Sequence, residues 1–216
     1  MNKTKKMTTV ALLCALSYIA MFVSRFLPPL FAAFPFLKYD PKDAVIVIGG
    51  FLYGPATAFV ISLAVSLIEM TTVSGTHIIG CLMNIASTCA FACTASVIYQ
   101  RFRSLRGGSA GLALGTVCAV AAMMVLNYFL TPIYTGMPRE TVASLLIPAI
   151  LPFNIIKCVL NSALVMLIYK PVVKILRRSG MAEIREGSAR TANVSVVITA
   201  IVLILICICA VAVINR

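Results

Sequence analysis

The chain has 216 residues, of which 61% are hydrophobic and only 11% charged, with a mean hydropathy of +1.04. A soluble domain is about 45–50% apolar, so this composition excludes that class and predicts an all-α, multi-pass integral membrane protein. The formal charge of +12 fits membrane topology and anionic headgroups. It does not indicate nucleic acid, because no basic stripe interleaves with exposed aromatic residues.

A bilayer-spanning helix needs about 20 mostly apolar residues. Runs of that kind fall at 7–27, 44–53, 56–70, 78–99, 111–131, 144–176 and 194–214, giving seven candidate helices. The first follows Lys3, Lys5 and Lys6 and resembles a signal peptide in that respect. No small-x-small cleavage site closes it, so a retained helix is expected. The second run is short and meets the third at Gly54-Pro55. The two are either separate helices or one kinked span; together they exceed one crossing, which favours two. Prolines interrupt the sixth.

Lys and Arg concentrate in cytoplasmic loops. With seven alternating helices, Lys3, Lys5, Lys6, Arg101, Arg103, Arg106, Lys170, Lys174, Arg177, Arg178, Arg185 and Arg190 share one side. The amino terminus is therefore expected on the cytoplasmic side. Arg25, Lys38, Lys42, Arg139 and Arg216 lie opposite.

The loop between the first two runs, "LPPLFAAFPFLKYDPKDA", carries four prolines, several aromatic residues and the charged cluster Lys38, Asp40, Lys42 and Asp43. It is long for a connector and reads as an outer lid. The first helix carries the small-xxx-small pair Ala11 and Ala15, with Ala20 and Ser24 about half a turn around. One pair suits inward packing and the other a partner.

Polar residues within the apolar runs carry the functional information. Ser62, Ser66 and Glu69 share a face of the third run; His77, Cys81, Asn84 and Thr88 share one on the fourth; Asn127 and Thr131 do so on the fifth. On the sixth, Asn154, Lys157 and Asn161 form one stripe at i, i+3, i+7. A charge in the hydrocarbon costs roughly 2.5–3.5 kcal/mol even on the lenient insertion scale, so its default reading is functional. A structural lysine paired with Glu69 is the competing expectation. With the amino terminus inside, these groups gather in the outer half of the bundle, as in a pocket reached from outside rather than a channel polar along its length.

Eight cysteines lie inside the apolar runs, where free thiols behave as small hydrophobes. Cys89 and Cys93 share a face but lack further ligands for a metal. The sequence carries no P-loop and no nucleophile elbow or metalloprotease motif, so no catalytic residue, metal or cofactor is expected.

"LNYFLTPIY", "LPFNIIK", "DPKDA" followed by "GGFLYGP", and "MN" in the fourth run resemble the riboflavin-specific S components of bacterial energy-coupling factor transporters. The resemblance covers about residues 7–178 and is most specific in the fifth and sixth helices. It implies a six-helix, vitamin-binding unit that associates with a membrane coupling protein and two ATPase subunits. By matching motif it assigns substrate binding to Tyr39, Asp40, Asn84, Asn127, Asn154 and Lys157, and partner docking to the alanine motif at Ala11 and Ala15. The expected organisation is a binding domain at 1–178, a polar cytoplasmic linker at 179–193, and an additional membrane helix at 194–216 that the six-helix unit lacks. An S component for another vitamin is the alternative function. A self-sufficient secondary transporter would usually show an internal helix repeat, and none is evident.

Overall fold

The computed structural model describes residues 3–34, 37–179 and 194–215. Its helices are α1 (Lys3–Ser24), α2 (Lys42–Tyr53), α3 (Pro55–Thr72), α4 (His77–Phe102), α5 (Leu105–Thr135), α6 (Arg139–Leu145), α7 (Leu151–Arg178) and α8 (Val194–Ile214), with a π-helical turn, Leu146–Ile150, between α6 and α7. Among the described residues, six helical segments are long and apolar enough to cross a membrane, Arg139–Leu176 with its π-helical turn counting as one. The expected linker lies, but for Ser179, outside the described residues.

α2 departs most from a simple span. Twelve residues rise about 18 Å, well short of a hydrocarbon core of about 30 Å. Ten of the twelve are buried, because α2 is apolar nearly all round and packs against α1, α3, α4 and α7. Gly54 joins it to α3 at φ +96°, a backbone state that favours glycine, and Pro55 then starts α3 where its missing N–H costs nothing. Lys42, at the start of α2, bonds Glu69, near the end of α3, at 2.5 Å. The pair is therefore an antiparallel hairpin, as two separate helices require and one kinked span forbids.

α4 and α5 approach closely through glycine. A Cβ on Gly111 would lie 2.7 Å from the Ala95 carbonyl oxygen, and one on Gly115 would lie 2.6 Å from that of Phe91. Backbone cannot yield as a side-chain tip can. Gly115→Ala is therefore expected to destabilise by about 1–3 kcal/mol, outweighing the gain in helix propensity of about 1 kcal/mol. Thermal unfolding in detergent checks this.

The sixth segment keeps its helical course through its prolines by widening. Pro148 and Pro152 each remove a backbone donor, and the Leu151 N–H reaches back five residues to the Leu146 carbonyl. Such π turns recur at functional sites. Here the turn sets the rotation of Asn154 and Lys157 as they enter α7.

Candidate functional site

Arg25 and residues 37–40 of the first loop, the ends of α1, α3 and α5 and the beginnings of α4 and α7 surround a cavity of about 230 Å³ at one end of the bundle. Tyr39, Asp40, Asn84, Asn127, Asn154 and Lys157 all line it. The opposite end of the bundle carries an aromatic cluster, in which Phe51 stacks on Tyr99 at 4.2 Å and the Tyr99 and Tyr169 hydroxyls bond at 2.8 Å, beside a second, more apolar cavity of about 350 Å³. The asparagines, the carboxylates and Lys157 thus gather around the first cavity and do not continue into the second.

The floor is a network of buried ions. Lys42, wholly inaccessible to solvent, donates to Glu69 at 2.5 Å and pairs with Asp40 at 2.8 Å. Glu69 also accepts from Arg25 at 2.6 Å and from the Asn84 amide at 3.1 Å. On the other side of the cavity Lys157 pairs with Asp43 at 3.3 Å, and Asp43 accepts a hydrogen bond of 2.7 Å from Thr88. The three cations Arg25, Lys42 and Lys157 balance Asp40, Asp43 and Glu69, which are half of the chain's six acidic residues. Mutual neutralisation is what makes their burial tolerable.

Two expectations are corrected here. Lys42 and Asp43 are not part of an exposed loop cluster; they form the buried first turn of α2, because that short helix starts within the bundle. The anionic partner of Lys157 is Asp43, not Glu69, whose oxygens are already engaged by Lys42, Arg25 and Asn84.

Asn154 donates to the Ile150 carbonyl at 2.8 Å, and Asn127 donates to the Met123 carbonyl at 2.8 Å while accepting from Thr131 at 2.8 Å. Each amide is thereby oriented with hydrogen-bonding capacity to spare. Asn161, on the same stripe as Lys157, does not line the cavity. It is fully buried and holds the loop: the Tyr39 hydroxyl donates to its Oδ1, and its Nδ2 donates to the Asp40 carbonyl, both at 3.1 Å. Burial, reinforced by the Asp43 and Asp40 carboxylates, raises the Tyr39 hydroxyl well above the usual phenol range, keeping it a donor. Burial acts to raise Asp40 as well, but the Lys42 and Lys157 ammonium groups outweigh it and hold the carboxyl below its ordinary value.

Of the other polar stripes, His77 is exposed at the start of α4, Thr88 serves Asp43, and Ser62 and Ser66 are buried in α3 away from the cavity. Met21, Met83, Met123 and Phe153 supply apolar wall. Sequence reasoning missed these, since an apolar residue facing a cavity looks the same as one facing lipid. Ala11 and Ala15 lie on the exposed face of α1, whereas Ser24 is buried and Ala20 half-buried.

The family model for the substrate-specific component of ECF transporters matches residues 5–169. The riboflavin transporter RibU of Staphylococcus aureus is 28% identical over 188 residues, spanning 82% of this chain and 95% of that protein. Riboflavin transporter FmnP of Bacillus subtilis is 25% identical, spanning 77% of this chain and 91% of its own. A solved S component of a bacterial ECF transporter superposes with a TM-score of 0.69 at 27% identity, covering 82% of this chain and 100% of that one. By the extent of that match across its helices, the chain belongs to the family of substrate-specific components of ECF transporters.

Proposed function

We propose that the chain is the riboflavin-binding subunit of an energy-coupling factor importer in a bacterial cell membrane, capturing the vitamin from outside the cell for an ATP-driven module. The observation that carries this reading is the convergence of Tyr39, Asp40, Asn84, Asn127, Asn154 and Lys157 on one cavity, in a chain whose relatives are named riboflavin transporters.

The available hydrogen-bonding groups suit a flavin. Its imide edge presents two carbonyl acceptors flanking an N–H. Lys157 donates to a carbonyl, and the Asn154 amide, its N–H turned to Ile150, offers an oxygen to the imide. The methionines and Phe153 cover the ring faces. Asp40, Asn84 and Asn127 meet ribityl hydroxyls, and Tyr39 closes the loop side. Each of these groups is already oriented by the protein, which limits what must be ordered on binding.

The remaining parts of the reading concern assembly. The sequence has no P-loop, so transport against a gradient requires a membrane coupling protein and two ATPase subunits; the exposed Ala11 and Ala15 face is the proposed contact with the former. The concentration of Lys and Arg at the end away from the cavity supports an amino terminus inside the cell, with the cavity opening outward.

Spectroscopy tests the ligand. Detergent-purified protein is expected to carry flavin absorbance or to quench the fluorescence of added riboflavin by enclosing it against side chains. A colourless preparation that does not quench would point to a different ligand on the same scaffold.

A further inference from the structure

α8 lies beyond the residues that the family model matches, yet its end meets the loop whose residues 37–40 line the cavity. It packs along α7, and at its end the Asn215 side chain makes two hydrogen bonds with the first part of the loop. Its Oδ1 accepts from the Ala32 N–H at 3.0 Å, and its Nδ2 donates to the Leu30 carbonyl at 2.9 Å. One amide thus holds the backbone on both sides of Phe31.

Phe31 is the centre of a second apolar cluster. It is almost completely buried, and Leu37, Ala149, Phe153, Ile156 and Cys207 share the cluster with it. Its ring meets that of Phe153 edge-on at 6.1 Å, and Phe153 lines the cavity. The loop is therefore fastened twice by asparagine: at Tyr39 and Asp40 by Asn161 of α7, and at Leu30 and Ala32 by Asn215 at the end of α8. The first fastening belongs to the helix that carries Lys157. The second is supplied by a helix with no residue in the cavity.

We infer that Asn215 is a positioning residue for the loop over the cavity, and that α8 thereby slows the release of bound ligand. Release requires the loop to move away from Phe153, and the two bonds to Asn215 must break for Leu30 and Ala32 to go with it. Both bonds are solvent-accessible, so each contributes at the lower end of the usual range for a hydrogen bond. Together they correspond to about a five- to thirtyfold change in rate. The effect falls on dissociation, as most effects on related complexes do.

The inference rests on the cavity being the riboflavin site, and its test keeps the two apart. Asn215→Leu and Asn215→Ala in the full chain are compared with the parent in two measurements. In ligand-free protein, amide exchange of loop residues 30–34 should accelerate in both variants, since Ala32 loses its acceptor, while the thermal midpoint stays within a few degrees. In bound protein, the riboflavin dissociation rate should rise about five- to thirtyfold with association changing much less. Unchanged loop exchange shows that the fastening does not operate and overturns the inference. Faster exchange with unchanged dissociation overturns the role in release. A parent that binds no riboflavin removes the proposed ligand and the release role with it, while loop exchange still decides whether Asn215 holds the loop.

Discussion

Lys157→Met is expected to weaken riboflavin binding and to destabilise the fold, for two reasons that can be separated. Methionine keeps most of the side-chain volume but leaves a flavin carbonyl unpaired in a water-poor pocket, at a cost of about 1–3 kcal/mol, or roughly ten- to hundredfold in affinity. It also strands Asp43, whose carboxylate is buried and loses its cation while keeping the hydrogen bond from Thr88. Breaking one half of a buried ion pair costs about 3–5 kcal/mol. The stability loss should therefore exceed the binding loss. Adding Asp43→Asn removes the stranded charge, and the Lys157→Met/Asp43→Asn protein should recover most of its thermal stability without recovering affinity.

Lys42→Met is expected to have an effect of comparable size on stability. Lys42 joins α2 to α3 through Glu69 and to the loop through Asp40. Its removal leaves two carboxylates in the floor of the cavity with Arg25 as the remaining cation on Glu69. A loss of about 3–5 kcal/mol follows from the same reasoning, read as a lower thermal midpoint or a low yield of folded protein in detergent. Glu69→Gln should be milder, because Lys42 keeps Asp40 and glutamine keeps the side-chain shape. In the background of Lys42→Met, Glu69→Gln should restore part of the loss by removing one uncompensated charge. Parent-like stability of Lys42→Met would show that the network does not hold the α2–α3 hairpin.

The apolar helical runs and the gathering of polar groups at one end were legible in the sequence because lipid imposes a simple rule: apolar runs span, and polar residues within them turn inward. The stripe Asn154, Lys157, Asn161 shows how far such spacing reaches. Helical periodicity places the three on one face, but the face extends past the cavity, so its deeper end at Asn161 serves the loop instead. The charges of "DPKDA" were harder to place, because a run of Lys and Asp beside proline reads as a solvated loop. Their burial depends on Glu69 and Lys157, which lie 27 and 114 residues from Lys42 and Asp43 respectively. Periodicity within one segment carries no information about such pairs. Asn215 lay further still from inference. It follows a uniformly apolar helix, and its partners are 183 and 185 residues away.

The measurement that bears most directly on the assignment of the cavity is the riboflavin affinity of Lys157→Met/Asp43→Asn beside that of the parent, each preparation first shown to unfold at a similar temperature. The charge pair is absent from one protein and complete in the other, so neither carries a stranded ion. If Lys157 meets the ligand, the double variant binds at least tenfold more weakly. Equal affinity in the two proteins would contradict a ligand role for Lys157 and leave it as the structural partner of Asp43.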